Sequence, residues 1–221
     1  MKPVKSILYV SISMLIVMLV LLPRRSIADL NHWVPRTSGT SYDLQGITYS
    51  NGTFVVVGDG GTILTSPNGV TWTTGTSGTL NNLRQVTYGN DTFVAVGDGS
   101  TILTSPDGVT WIPRPLGTSR SLSGVTYGNG TFLAVSSDTS SAVLTSEDGV
   151  TWTETIIPSL YSINGVTYGN GTFLAVGGGD FARVLTSPDG VTWIENIMDI
   201  DWILYKGVTY GNGAFVENFI I

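Results

Sequence analysis

Gly124-Val125-Thr126-Tyr127-Gly128-Asn129-Gly130-Thr131-Phe132-Leu133-Ala134-Val135 decides the fold. At its centre stands Asn129-Gly130, a pair that tolerates the positive φ of a tight hairpin, with β-branched and aromatic residues on both sides. The stretch therefore reads as two short strands and their turn. Its second strand is apolar at successive positions, as is Phe54-Val55-Val56-Val57 before Gly58. Continuous apolar character belongs to a strand covered on both faces. The same pattern recurs. Gly46-Ile47-Thr48-Tyr49, Gln85-Val86-Thr87-Tyr88, Gly165-Val166-Thr167-Tyr168 and Gly207-Val208-Thr209-Tyr210 head further copies, so that repeats start at 46, 85, 124, 165 and 207, spaced 39, 39, 41 and 42 residues apart.

Repeats of about 40 residues built from short strands bury their faces against neighbouring copies. The second unit predicts four strands, at residues 86–88, 92–96, 101–104 and 109–112 (a to d). A four-stranded sheet sandwiched between copies of itself is a propeller blade. The expected fold is all-β: a β-propeller of five blades, the last incomplete. A β-solenoid is the runner-up, but its rungs rarely need three hairpin turns per unit. His32-Trp33-Val34-Pro35-Arg36 aligns with Thr110-Trp111-Ile112-Pro113-Arg114 and reads as a lone strand d. It is expected to complete a last blade that supplies strand a at 207–210 and a degraded strand b at 214–220. That blade lacks strand c and the turn after it, so a truncated larger propeller is the alternative.

The turn between strands c and d is Ser105-Pro106-Asp107-Gly108-Val109-Thr110-Trp111, repeated as Ser146 to Trp152 and Ser187 to Trp193, and as Ser66 to Trp72 with Asn68 for Asp. The Asx side chain can accept backbone N–H bonds while Gly supplies the left-handed position. The Trp then packs as a large apolar anchor. These four copies resemble the Asp-box, Ser-x-Asp-Gly-x-Thr-Trp, of sialidases and of the photosystem II assembly and stability factors. The resemblance spans residues from about 33 to 216 and implies a propeller with Asn68, Trp72, Asp107, Trp111, Asp148, Trp152, Asp189 and Trp193 as structural positions. A row of metal-binding carboxylates is the rival reading, but each box offers one carboxylate, or two with Glu147, and hard cations want several converging oxygens.

The N-terminus has the pattern of an export signal. Lys2 and Lys5 precede an apolar run from Ser6 to Leu22, and Ser26-Ile27-Ala28 is a small-x-small cleavage signature before Asp29. Residues 1–28 are expected to be a cleaved signal peptide or a retained N-terminal anchor, with the propeller at 29–221, exported to a secreted, periplasmic or cell-surface location. Any membrane contact is expected only through that anchor. The chain has no cysteine, so packing rather than disulfides must stabilise it there. Residues 29–221 carry all sixteen acidic residues against six basic ones, Arg36, Arg84, Arg114, Arg120, Arg183 and Lys206. Such a field opposes nucleic acid and anionic membranes.

With no Cys and one His (His32), Ser-His-Asp, Cys-His and multi-His metal chemistry find no residues. No catalytic residue, metal or cofactor is expected. Glycoside hydrolysis needs neither Cys nor His and is the one enzymatic class left. The sialidase resemblance implies three arginines for a substrate carboxylate, a Tyr–Glu nucleophile pair and an Asp acid. No arginine motif of that kind precedes the first box, and Glu is scarce. The Asn-Gly-Thr tripeptides match the glycosylation sequon, a by-product of hairpin Asn-Gly followed by strand Thr.

In an up-and-down blade the a–b and c–d turns share one face, and here they are near copies. The b–c and d–a connectors hold the variation, the basic residues and several aromatics (Tyr161, Phe181, Trp202 and Tyr205). Variable loops on a rigid scaffold are where function sits. The expected function is a non-catalytic binding or assembly scaffold that takes a protein partner through Arg114, Arg120, Arg183, Trp202 and Tyr205. The assembly-factor resemblance implies the same, since that family binds protein partners through an arginine-bearing face. A glycan stacked on Trp202 and Tyr205 is the alternative.

Overall fold

The computed structural model describes residues 34–138, 141–157, 162–178, 181–201 and 204–220. The segment 1–28 expected to be an export signal, His32-Trp33, Tyr161, Asp180 and Trp202 lie outside these described residues.

Among the described residues, eighteen strands form five antiparallel sheets. Blade 1 is β1 (Leu44–Ser50), β2 (Thr53–Gly58), β3 (Ile63–Ser66) and β4 (Thr73–Thr74). Blade 2 is β5 (Leu83–Gly89), β6 (Thr92–Gly97), β7 (Thr101–Ser105) and β8 (Ile112–Pro113). Blade 3 is β9 (Leu122–Gly128), β10 (Thr131–Ser136), β11 (Ala142–Ser146) and β12 (Thr153–Ile156). Blade 4 is β13 (Ser162–Gly169), β14 (Thr172–Gly178), β15 (Phe181–Ser187) and β16 (Ile194–Asp201), and β17 (Leu204–Gly211) with β18 (Ala214–Ile220) makes a two-stranded fifth sheet. This is the expected all-β propeller with an incomplete last blade. Residues 34–43 form no strand, so the described part of the N-terminal segment does not complete that blade.

The first strands of neighbouring blades pack together in the order β1, β5, β9, β13, β17 and form the inner, axis-facing side of the array. Outward from them, one sheet face fits the next. Val55, Val57 and Ile63 of blade 1 meet Leu83, Phe93, Ala95 and Leu103 of blade 2, and the layer repeats at the next two junctions. That is why the b strands carry apolar residues at every position: Val55, Val56 and Val57 are all fully buried. Each such side chain contributes about 1.5–3 kcal/mol, the stabilisation on which a chain without disulfides depends. Three of the junctions are locked near the hairpin face by a Tyr ring against a Gly of the preceding blade, Tyr127 on Gly89, Tyr168 on Gly128 and Tyr210 on Gly169; blade 1 has Ser50 at the Gly position. The hairpins take positive φ at both turn residues, 49° at Asn129 and 77° at Gly130.

Two strand starts in blade 2 differ from the sequence reading by three residues each, while its strand ends fall within one residue of it. The d strand of blade 2 begins at Ile112 rather than Val109, because Asp107 Oδ1 accepts the N–H groups of Val109 and Thr110, both at 2.8 Å, and so takes them out of the ladder. Strand a of the same blade begins at Leu83, three residues earlier than expected. It does so by way of a bulge. Leu83 pairs with Gly97 and Gln85 with Val96, so Arg84 is an extra residue between two consecutive partners.

Candidate functional site

The bulge of β5 occurs in every inner strand. The register slips between Leu44 and Gly46, between Leu83 and Gln85, between Ile163 and Gly165 and between Tyr205 and Gly207, and β9 slips at the same point, where Ser136 pairs with Leu122 and Val135 with Gly124. The extra residues are Gln45, Arg84, Ser123, Asn164 and Lys206. A bulge bends its strand and re-aims a side chain. Here five bulges at one level of five inner strands bring five polar residues to the axis, at the end of the channel where the b–c and d–a connectors emerge. All five line a cavity of about 370 Å³. The strands can converge this closely because glycine follows most of the bulged residues: a Cβ on Gly165 would stand 2.9 Å from Gly207 Cα.

Arg84 is fixed there by carboxylates. Its Nε donates to Asp98 Oδ1 at 3.0 Å and its Nη2 to Asp98 Oδ2 at 2.7 Å, while Nη1 lies 3.8 Å from Asp59 Oδ1. Asp98 also accepts from Ser121 Oγ at 3.0 Å and from Asn82 Nδ2 at 3.2 Å. Burial pushes the Asp98 carboxyl up, but the hydrogen bonds from Arg84, Ser121 and Asn82 outweigh it and hold it below its ordinary value. The hydrogen bond to Asp98 in turn raises the Arg84 guanidinium against its own desolvation. Gln45 Nε2 donates to Asp59 Oδ1 at 3.1 Å, Asn164 Nδ2 to the Tyr205 carbonyl at 2.7 Å, and Ser123 Oγ to the Ile163 carbonyl at 2.5 Å. Lys206 is exposed and makes no ion pair among the described residues. Among the described residues the cavity lining contains Arg84 and Lys206 but no Asp, Glu or aromatic residue.

The residues expected from sequence to form a docking surface are dispersed instead. Arg114 follows β8 on the outer strand, its Nε donating to Thr104 Oγ1 at 2.9 Å and its N–H to the Ile102 carbonyl. Arg120, in the connector between blades 2 and 3, is paired with Glu154 of β12. Arg183 is the third residue of β15 rather than a loop residue, because the β14–β15 ladder extends through Gly177 and Arg183, and it pairs with Glu195 of β16. Tyr205 corrects the expectation outright. It occupies the register of Leu83, Leu122 and Ile163 and is 5 % exposed, packed with Leu174, Val176, Ala182 and Val184. Burial pushes its phenol up, with Glu217 adding to the shift. It is a core residue of the junction between blades 4 and 5 and has no ring face to offer.

On the opposite face the Ser-x-Asx-Gly turns act as structure. Asp148 Oδ1 accepts from Val150 N–H and Thr151 N–H at 2.8 Å each and from Ser146 Oγ at 3.0 Å, and Trp152 Nε1 donates back to the Gly149 carbonyl at 3.0 Å. Asp107 and Asp189 repeat the pattern, and Asn68 reproduces it with an amide oxygen. Backbone N–H bonds, from Thr151 and Thr192 first, lower the carboxyls of Asp148 and Asp189 to about 2. Trp111 is buried, whereas Trp72, Trp152 and Trp193 are half-buried. With its Oδ1 committed to the turn, each Asx serves to shape it.

The channel residues were missed in the sequence, although a signal is there. The position before each Gly/Gln-Val/Ile-Thr-Tyr is polar in all five repeats and different in each, inside a pattern that otherwise hardly varies.

No family model matches the chain, and no curated protein matches it. Solved structures do. YCF48 bound to D1 peptide superposes with a TM-score of 0.63 at 14 % identity, over 85 % of this chain and 65 % of that one. YCF48 from Cyanidioschyzon merolae gives 0.61 at 20 % identity, over 80 % and 64 %. The nidogen/laminin complex gives 0.64 at 15 % identity, over 80 % and 72 %. The chain thus spans just under two thirds of the YCF48 structures. The shared property is the fold, a β-propeller.

Proposed function

We propose that this propeller is a non-catalytic binding and assembly scaffold, exported from the cytoplasm, which takes an extended segment of a protein partner at the connector-side mouth of its channel. The observation that carries the reading is the ring of bulged residues. Five copies of one structural device deliver five different polar side chains to one cavity, in a chain whose other face repeats itself. Function placed on variable positions of a rigid scaffold has this form. A cavity of about 370 Å³ is at the small end of ligand pockets, enough for the tip of a peptide rather than for a folded domain.

The lining supports binding over hydrolysis. Glycoside hydrolysis needs a pair of carboxylic acids across the scissile bond, and the described residues of the lining include neither Asp nor Glu. Among the described residues no aromatic side chain lines the cavity, and Tyr205, one of the two residues offered by the sequence for stacking a glycan, is buried; the other, Trp202, lies outside the described residues. That YCF48 has been seen with D1 peptide, and a related propeller in a nidogen/laminin complex, agrees with a protein partner. Export rests on the basic, apolar and small-x-small order of residues 1–28.

The test is site-specific photocrosslinking. A photoreactive residue at Gln45, at the channel mouth, is compared with one at Val109, exposed on the boxed face, in cells that export the protein. Crosslinks from position 45 that position 109 does not give are the expected result. The reverse pattern moves the working surface to the boxed face. N-terminal sequencing of the exported protein is expected to begin at Asp29.

A further inference from the structure

We propose that the channel mouth reads one carboxylate of the partner segment, held by Lys206 together with the carboxamides of Gln45 and Asn164, while Arg84 and its aspartates limit the site to a single negative charge. This rests on the peptide-binding reading above and specifies what that site recognises.

The first argument is sign. The whole chain has a formal charge of −6, yet the described residues of the cavity lining include two cations and no acidic residue. Two other arginines are matched to a carboxylate of their own blade or of the neighbouring one, Arg120 to Glu154 and Arg183 to Glu195. Lys206 is exposed at the mouth without such a match among the described residues. An ammonium offers three donors and no acceptor, so its complement is an anion.

The second argument is amount. Arg84 is also at the mouth, but Asp98 grips it through two hydrogen bonds and Asp59 stands 3.8 Å from its other nitrogen. Those two carboxylates answer its charge, so that among the described residues of the cavity lining Lys206 is the one cation without a carboxylate partner. A dianionic phosphate entering beside Asp59 and Asp98 would meet net repulsion. A single carboxylate would not. Arg84 is thus a positioning residue, which holds Asp59 and Asp98 behind the ring and shapes the field.

The third argument is donor chemistry. The Gln45 amide uses one N–H on Asp59 and the Asn164 amide one on the Tyr205 carbonyl, so each keeps a second N–H. Charge-assisted hydrogen bonds to a carboxylate are the strong ones in such a site. Two sources carry this group, the C-terminus of a chain and an Asp or Glu side chain within one.

The experiment uses the full chain labelled with ¹⁵N and follows the side-chain amide signals of Gln45 and Asn164. Four probes are added: a pool of N-acetylated neutral pentapeptides with a free C-terminus, the same pool amidated, an amidated pool with one fixed central Glu, and inorganic phosphate. Shifts with the first pool assign the site to a chain terminus, and shifts with the third to an acidic side chain; either supports the proposal. Equal shifts from the amidated neutral pool overturn it, as do equal shifts from phosphate or no shift from either carboxylate pool. Loss of the carboxylate requirement with the Gln45 crosslink intact would remove this inference and leave the scaffold reading standing. Lys206→Gln is expected to weaken the carboxylate pool at least tenfold, Lys206→Arg to retain it, and Arg114→Ala, on the rim, to leave it unchanged. Unaltered binding in a folded Lys206→Gln protein would also sink the proposal.

Discussion

Tyr168 sits against Gly128 so closely that a Cβ on that glycine would stand 2.0 Å from Tyr168 Cγ. The contact joins blade 3 to blade 4, and the pairs Gly89–Tyr127 and Gly169–Tyr210 make the same joint at other junctions. It explains why the repeat reads Tyr-Gly rather than Tyr followed by any turn former. Gly128→Ala is expected to force the ring aside and destabilise the fold by about 1–3 kcal/mol, the range for overpacking a tight site. Gly211 is the matched control. It holds the same repeat position, but a Cβ there would meet nothing within 4 Å. Gly211→Ala should leave the thermal midpoint unchanged or slightly raised. Equal losses in the two proteins would mean that the joint does not bear on stability.

The box tryptophans are expected to differ among themselves. Trp111 is 7 % exposed and belongs to the core between blades 1 and 2, while Trp152 lies at the edge of the next core. Trp111→Ala should cost about 3–5 kcal/mol, as for a buried aromatic, and Trp152→Ala measurably less. Asp148→Ala should cost about 1 kcal/mol for the lost turn hydrogen bonds. Denaturant titration of the three variants orders them, and a Trp152 loss equal to that of Trp111 would contradict the burial seen here.

Much of this architecture is legible in the sequence because propellers are locally determined. Asn129-Gly130 fixes a hairpin, Ser146 to Trp152 fixes a turn, and alternate residues of Phe132 to Val135 feed two junctions at once. The functional level was harder to read, for a physical reason. Basic residues were assigned to a docking surface by their place in the sequence, but a blade folds those places to different radii. Arg114 reaches the outer strand, Arg183 enters a ladder and Tyr205 falls on a core register. The channel residues depend on the bulge, an extra residue in one strand that shows only when both strands are counted against each other. Without it Arg84 would alternate with Leu83 and Gln85 in an ordinary strand, and nothing would mark it as facing the axis.

Acid should loosen the boxed face. The carboxyls of Asp148 and Asp189 are held at about 2, first by the Thr151 and Thr192 N–H groups and then by those of Val150 and Val191. In the unfolded chain they return to about 3.9. A folded value below the unfolded one gives a stabilisation that is complete above about pH 4 and disappears as the pH falls toward about 2. Asn68 shows that an amide oxygen can accept the same pair of N–H bonds, at 2.9 and 3.0 Å. The double variant Asp148→Asn/Asp189→Asn is therefore expected to stay folded at neutral pH and to lose less of its thermal midpoint across that acid window. A wild-type midpoint that falls no more steeply than the variant's would show that these carboxylates do not couple stability to pH.

Arg120 and Glu154 are expected to act on the scaffold and not on its partner. The pair ties the connector after blade 2 to β12 in blade 3, and the Arg120 N–H also donates to Ser100 Oγ at 2.6 Å, so one residue joins two blades. Both side chains keep some exposure, 18 % for Arg120 and 26 % for Glu154, and solvent screens such pairs. A double-mutant cycle with Arg120→Ala and Glu154→Ala should give a coupling of no more than about 1 kcal/mol, toward the upper end for a partly exposed pair. Crosslinking from position 45 should survive in Arg120→Ala, because the pair holds the connector from the side while the channel ring is set by the bulges. Lys206→Gln should show the opposite profile, with stability unchanged and capture reduced. If Arg120→Ala abolished capture in a protein that still melts cooperatively, the working surface would have to extend outward from the axis onto the connector, and the ring could no longer be the whole site.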